Sequence, residues 1–403
     1  MTAWPRVAIT GAGTVNALGA DVPATLWAMR EGRSAIGPLE IRDAERLAAP
    51  VGAQVRGFDP AAHLDRSTLS LLDRYAQFAL VAAAEAVAQS GLDASALGER
   101  GAVVLGNSGG GLTTSDDAYR AVYEARRDRV HPFTVPRLMN SAAAAHLSMR
   151  WGLLGPSLTV ATACASSNHA LAQGMWLIRT GQADVVLAGG AEAMLCFGGV
   201  KAWEGLRVMS ADTCRPFSAN RSGMVQGEGA AVFVLERMDA ARARGAEVLA
   251  ELAGASMNSD AHDIVQPSQA GAERAMRAAL RDAELAPEGV GYVNAHGTGT
   301  AANDRTESAA IRAVFGAAPP PVSSTKAMHG HCIGATGAIE LLACLMALRE
   351  GVIAPTANWQ VADPDCLADV VPNEAREADV AACLSNAFAF GGANSVLALR
   401  RAP

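Results

Sequence analysis

The chain has 403 residues, half of them hydrophobic and 18% charged, with a formal charge of −7. A chain of this length and apolar content should bury a large interior, which predicts two domains or two fused halves. The acidic balance argues against nonspecific nucleic-acid binding. No apolar run reaches the ~18 residues of a membrane span, and with a strand-like run opening the sequence no secretory leader is expected. Seven cysteines with no C-x-x-C pair suggest a reducing, cytoplasmic setting rather than a disulfide scaffold.

In chain order, residues 6–19 read as a strand followed by a glycine turn at Gly11 and Gly13. A dinucleotide loop is excluded because Asn16 stands where the third glycine is needed. Residues 71–90 predict an Ala-rich helix. Residues 101–111 predict a buried strand and a glycine loop; no Gly-Lys-Ser/Thr follows, so it is no phosphate loop. The 115–140 segment carries Arg126, Arg127 and Arg129, either a solvated face or a docking surface. Residues 157–182 pass from a β-prone run into a helix with Leu171, Met175 and Ile178 at helical spacing. Cys164 falls on the junction. The helix dipole and nearby N–H groups there should favour the thiolate, the nucleophilic form. Two more buried strands are expected at 183–190 and 226–236.

The second half echoes the first. Gly391-Gly-Ala-Asn-Ser-Val-Leu-Ala-Leu repeats the design of Gly227-Glu-Gly-Ala-Ala-Val-Phe-Val-Leu, and residues 250–256 resemble 6–13. The helix at 334–350 parallels the one after Cys164. Such self-similarity predicts a duplicated α/β unit with halves 1–245 and 246–403, packed sheet to sheet with helices between and outside.

Three further stretches carry chemistry. Asn294-Ala-His296-Gly-Thr298-Gly-Thr300 ends a strand in a small-residue loop. Ser323-Ser-Thr-Lys326-Ala-Met-His329-Gly-His331 ends another. Asn386-Ala-Phe388-Ala-Phe390-Gly391-Gly392-Ala-Asn394 lies near the C-terminus. Two histidines on strand-end loops, with a cysteine on a third, are a candidate catalytic set. His329, His331 and Cys332 invite a metal reading, but adjacent loop residues rarely complete a coordination set, so no metal is expected.

Thr-Ala-Cys164-Ala-Ser together with these three motifs resembles the β-ketoacyl-acyl-carrier-protein synthases of the thiolase superfamily, over nearly the whole chain. The match is to elongating, type II-like ketosynthases with a Cys-His-His centre. Arg30-Glu-Gly-Arg-Ser-Ala-Ile-Gly37, Cys214-Arg-Pro-Phe-Ser218 and Asn303-Asp304 look closest to the nodulation protein E branch, and polyene ketosynthases are similar too.

The resemblance implies a thiolase-like fold, five-layered αβαβα, and a decarboxylative Claisen condensation that uses no metal or organic cofactor. It implies Cys164 as acyl acceptor, His296 and His331 as donors to the enolate oxygen, and Lys326 paired with Glu340 as an orienting couple. Asp304 and Glu307 match as supporting residues. The N–H groups of Cys164 and Phe390 would form the second oxyanion hole, with Phe390 and Gly391 as gate. Thr298 and Thr300 would hold the phosphopantetheine arm of an acyl carrier protein. The family also implies a dimer, either homomeric or with a chain-length factor. A thiolase would need a second catalytic cysteine, for which Cys383 is the only nearby late candidate. Where relatives often carry bulky residues lining the acyl tunnel, this chain has Gly109 and Thr134. That predicts a roomier channel for a long, unsaturated chain, unless Trp203 refills the space. Carrier docking would fall to Arg207 and the Arg126, Arg127 and Arg129 cluster, with Arg74 as a further candidate, because Ser67–Leu72 lacks the usual basic residues.

Overall fold

The computed structural model of the chain describes residues 4–402. Its frame is a mixed sheet of ten strands: β1 (Val7–Asn16), β2 (Gly101–Gly106), β3 (Ser157–Val160), β4 (Val185–Glu192), β5 (Gly229–Arg237), β6 (Ala250–Ser259), β7 (Tyr292–Asn294), β8 (Val322–Ser323), β9 (Ala382–Phe388) and β10 (Ala393–Arg400). Across the sheet the order is β8-β7-β9-β10-β6-β1-β5-β4-β2-β3. The first five and the last five strands follow one plan. From the centre outward, each half makes two antiparallel pairings and then two parallel ones. The halves also join edge to edge, where Val7–Ile9 of β1 pairs antiparallel with Ala250–Leu252 of β6. That joint had no signature in the sequence.

The helices that build the layers and the site are α1 (Arg74–Ser90), α2 (Leu112–Tyr123), α3 (Thr134–Leu138), α4 (Ala142–Trp151), α5 (Ser166–Arg179), α6 (Phe197–Glu204), α7 (Gln269–Asp282), α8 (Ala301–Phe315) and α9 (Thr336–Glu350). Helices α1 and α4 cover the outer face of the first half, on Val103, Leu105, Val232 and Val234. Helices α7 and α8 cover the outer face of the second half, on Val293, Leu384 and Val396. Between the halves lie α5 and α9, which touch strands of both. The result is five layers, αβαβα. Strand side chains alternate between faces, so Val103 and Leu105 point outward while Ala102 and Val104 point to the central helices. Helix α9 is buried on every side from Thr336 to Leu348, as its all-round apolar sequence requires.

Two expectations needed correction. Residues 6–19 do not turn at Gly11; β1 runs through Gly11 and Gly13 to Asn16, with a bulge between Ile9 and Gly11. A Cβ on Gly11 would lie 2.1 Å from the Ala86 carbonyl oxygen, and one on Gly13 2.0 Å from that of Ala82. The glycines are there so that α1 can lie close on the strand. The Ala-rich helix starts at Arg74 rather than 71, because Asp73 is its N-cap and accepts the Tyr75 N–H.

Candidate active site

The reactive side chains gather at the carboxyl ends of the parallel strands, where open α/β sheets place ligands. Strand β3 leads into the 3-10 turn Ala163–Ala165 and then α5. Strand β8 leads through Lys326–His331 to the matching turn Ile333–Ala335 and then α9. Ala163 (φ 49°) and Ile333 (φ 43°) hold the left-handed conformation at equivalent places in the two copies. That conformation is costly for a side chain, most of all a β-branched one, and persists where surrounding structure enforces it. Strand β7 delivers His296, and the turn after β9 delivers Phe390.

The Cys164 sulfur and one ring nitrogen from each of His296 and His331 lie within 4.8 Å of one another. The two rings stand edge to face, centroids 5.6 Å apart. Both are buried, and burial together with nearby Lys326 holds each well below the usual histidine value, so both are neutral. The tautomer of His331 follows from its contacts. Its Nδ1 accepts the Ile333 N–H at 3.2 Å and lies 2.8 Å from the Thr336 hydroxyl. A neutral imidazole nitrogen that accepts an N–H carries no proton, so the proton is on Nε2. That Nε2 is buried and has no partner among the described residues. It is a spare donor beside the sulfur.

The surrounding carboxylates hold this geometry. Lys326 Nζ donates to Glu340 Oε1 at 2.6 Å inside the protein. Burial raises the Glu340 carboxyl to about 7, against the pull of Lys326. Glu307 accepts the backbone N–H groups of His296 and Gly297, each at 2.8 Å, and the Asn386 amide at 3.1 Å. It fixes the loop bearing His296 against β9. Asp304 accepts the Phe217 N–H at 2.7 Å and the Gly299 N–H at 3.2 Å, and burial lifts it to about 6. Asp304 and Glu307 therefore act on loops rather than on the sulfur.

The expected thiolate is not what the site provides. Burial pushes the Cys164 thiol up to about 12, against Lys326 and the N–H groups of Cys164 and Phe390. The dipole of α5 and two backbone donors do not offset the loss of water around a cysteine that is only 6% exposed. The resting nucleophile is a neutral thiol.

The sequence profile of the β-ketoacyl synthase N-terminal domain matches residues 5–241, and that of the C-terminal domain matches 249–360. The chain belongs to the β-ketoacyl synthase family. It is 49% identical over 400 residues to nodulation protein E of Rhizobium leguminosarum bv. trifolii, covering 98% of this chain and 99% of that protein. It is 36% identical over 406 residues to 3-oxoacyl-[acyl-carrier-protein] synthase 2 of Staphylococcus aureus strain COL, covering 98% of each. Among solved structures, the ishigamide ketosynthase/chain length factor superposes with a TM-score of 0.95 at 36% identity, over 100% of both chains. The synthase is a condensing enzyme of the acyltransferase class.

A cleft of about 230 Å³ opens from this synthase's sulfur to the surface. Cys164, His296 and His331 lie on its wall with Trp203, Thr298, Thr300 and Phe390. Trp203 stacks on Phe390 with centroids 5.9 Å apart. Thr298 and Thr300 exchange a hydroxyl hydrogen bond at 2.9 Å, and Thr300 also caps α8. Gly391, at φ 81°, turns the chain behind Phe390. Cys164 is the one cysteine on the cleft wall, and Cys383 is buried inside β9.

Other candidates fall elsewhere. Gly109 and Thr134 do not line the cleft. The space above Gly109 is filled by Met194, not by Trp203, and Thr134 is buried at the start of α3. Arg207 is exposed beside the cleft residue Leu206. Arg126, Arg127 and Arg129 are exposed after α2, away from the cleft wall. Arg74 is not a free docking residue: its guanidinium is paired with buried Glu228 at 2.7 Å. His329 turns to Thr325 and Cys332 to the His329 carbonyl, so these two do not join His331 in a metal set.

Two features were missed. Asp260, Val265, Gln266 and Pro267 form the far rim of the cleft. Glu192, a lone acid ending a strand of small and apolar residues, was the available signal for the other. Its carboxylate accepts the N–H groups of Ser108, Gly109 and Gly334 at 2.8, 3.1 and 3.1 Å and the Asn107 amide at 3.1 Å, tying together the loops after β2 and before α9.

Proposed function

We propose that Cys164 accepts an acyl group from an acyl-carrier-protein thioester and that the acyl-enzyme then condenses with a malonyl thioester. The supporting observation is the closeness of one sulfur and two neutral imidazoles in a buried chamber, one of them with a free Nε2–H. As the sulfur attacks the thioester, its proton passes through an imidazole to the departing pantetheine sulfur. A high thiol pKa suits this coupling, since no charge waits in the apolar site. The malonyl carboxylate then leaves as CO2, and its electron pair forms an enolate. His296 and His331 donate hydrogen bonds to the enolate oxygen. The enolate carbon attacks the acyl-cysteine carbonyl, whose oxygen is held by the N–H groups of Cys164 and Phe390. Collapse expels the Cys164 sulfur, which takes up a proton from solvent. The product is a 3-oxoacyl thioester two carbons longer.

In this reading the halves 1–245 and 246–403 divide the work, the first supplying the nucleophile and the second the donors. Lys326 with Glu340 orients the donors, and Thr298 and Thr300 line the arm's path. The reaction needs no metal or organic cofactor. Zinc would occupy the thiol and both imidazoles, so EDTA should leave the rate unchanged while zinc inhibits. Arg207, at the rim, meets the acidic carrier protein, with the 126–129 arginines as a second contact. Charge reversal at Arg207 should raise KM for the carrier.

The synthase is read as a dimer, with a second copy or with a chain-length factor. Among the described residues strand β3 is an unpaired sheet edge, and Tyr119, Tyr123, Val135, Met149 and Leu154 are exposed in the flanking segments. An open edge beside an apolar surface invites a partner. No helix among the described residues is long and apolar enough to cross a membrane. A cytoplasmic location fits seven cysteines that are all free. The test of the activity is mass spectrometry of products from acyl- and malonyl-carrier protein. A 3-oxoacyl product, lost on Cys164→Ser, supports it; its absence with active carrier substrates overturns it.

A further inference from the structure

The left-handed residue Ala163 holds the chain just before Cys164 in a conformation that surrounding groups must enforce. Two side chains of α5 reach back to it. Ser166 Oγ accepts the Thr162 N–H at 2.9 Å and donates to the Ala163 carbonyl at 2.6 Å. Three residues on, His169 Nδ1 lies 3.1 Å from the Ala165 carbonyl oxygen and 2.8 Å from the Thr162 hydroxyl. A carbonyl oxygen only accepts, so Nδ1 carries the proton and shares it between the two oxygens. His169 is buried, and burial holds it below the usual histidine value, so the ring is neutral. Both of these ring contacts fall on residues 162 and 165, which bracket the nucleophile.

The second half of the molecule supplies a comparison. Its turn Ile333–Ala335 has the same 3-10 form and the same left-handed first residue, and Thr336 opens its helix as Ser166 opens α5. Gly334 stands where Cys164 does, and Ile339, wholly buried, stands where His169 does. A left-handed turn ahead of a buried helix therefore forms with an aliphatic side chain in place of the imidazole. Burying a polar ring costs free energy that an isoleucine does not. The imidazole goes with the nucleophile, not with the fold.

The Cys164 N–H is one of the two donors read as holding the acyl oxygen, and its direction is set by the plane of the Ala163–Cys164 peptide. We infer that His169 is a positioning residue for acyl transfer: its shared Nδ1–H ties Thr162 to Ala165 across the turn and so aims the Cys164 N–H at the acyl carbonyl. The inference rests on the reading of Cys164 as acyl acceptor. His169 is not on the cleft wall and moves no proton in the reaction. It acts through the turn. Without it the Ser166 contacts remain, but the tie between residues 162 and 165 is gone.

The experiment compares two reactions of Cys164 in the full-length synthase, each located by digestion and mass spectrometry. One is acylation by the carrier-protein thioester of butyrate or of myristate, whichever the parent takes faster. The other is alkylation by iodoacetamide. Acyl transfer develops charge on a carbonyl oxygen that the Cys164 N–H must meet; alkylation at a methylene carbon needs the sulfur alone. His169→Leu keeps the bulk and removes the donor. It should slow acylation by about tenfold or more and leave alkylation within about threefold of the parent. His169→Asn, whose amide N–H2 stands where Nδ1 does, should bring acylation back to within about threefold. Acylation by His169→Leu within about threefold of the parent overturns the proposal, as does an equal fall in both reactions or an Asn variant no faster than the Leu variant. If His169→Leu fails to fold, Thr162→Val, which removes the other end of the tie at a half-buried position, decides by the same comparison. If the parent is acylated by neither thioester, the acyl-acceptor reading falls and takes this inference with it, an outcome distinct from any change confined to the variants.

Discussion

Iodoacetamide should modify Cys164 at a rate that climbs about tenfold per pH unit from about pH 7 to about pH 10, with no plateau. The magnitude follows from the site. With the thiol at about 12, roughly one molecule in 10⁵ holds a thiolate at neutral pH. Alkylation requires the thiolate, so its rate follows that fraction. Restricted access to the chamber scales every rate equally and leaves the slope alone. Lys326 is the main group opposing burial, so Lys326→Met should slow alkylation further at each pH. The assay is timed alkylation followed by digestion and mass spectrometry of the Cys164 peptide. A plateau below about pH 9 would mean that the α5 terminus and the two backbone donors outweigh burial, and that the neutral-thiol account is wrong.

Three other outcomes follow from the buried carboxylates and the loops they hold. Burial lifts Glu192 from 4.5 to about 7, so the folded state keeps a proton that the unfolded chain has lost within that window. Its contribution to stability is complete below about 4.5 and is lost as pH rises through about 7, so Glu192→Gln should flatten the fall in Tm between those values. Glu307→Gln replaces an all-acceptor group with an amide, so its N–H2 end faces two donors, either the His296 N–H with the Asn386 amide or the Gly297 N–H with the Asn303 amide. Calorimetry should show a loss of about 1–3 kcal/mol in stability, and kcat should fall as the His296 loop shifts. Thr336→Val removes the hydroxyl beside His331 Nδ1 but keeps the Ile333 N–H. It should lower kcat by less than tenfold, because the Nε2–H tautomer survives; a loss near that of His331→Ala would refute the assignment.

Much of the site was legible because its chemistry sits in short, contiguous strand-end motifs. Cys164, His296, Lys326 and His331 each follow a β-prone run, and duplication places such runs at equivalent edges of two half-sheets. What the sequence did not disclose depends on distant neighbours. The state of the thiol is set by how much protein closes over it, which no local motif encodes. Gly11 and Gly13 looked like a turn because a glycine needed for φ and a glycine needed for close helix packing are written alike. Met194 was invisible as the partner of Gly109, since the two meet only when β4 lies beside β2. Arg74 looked like a free surface cation because Glu228, which neutralises it, comes 154 residues later.

The most direct test follows the two half-reactions separately in single turnovers, for the parent and for His296→Ala and His331→Ala. The account predicts that both variants still acquire the acyl group on Cys164, while CO2 release from malonyl-carrier protein falls by about 10²–10³. Undiminished CO2 release from either variant would contradict it, because that imidazole would then have no part in stabilising the enolate.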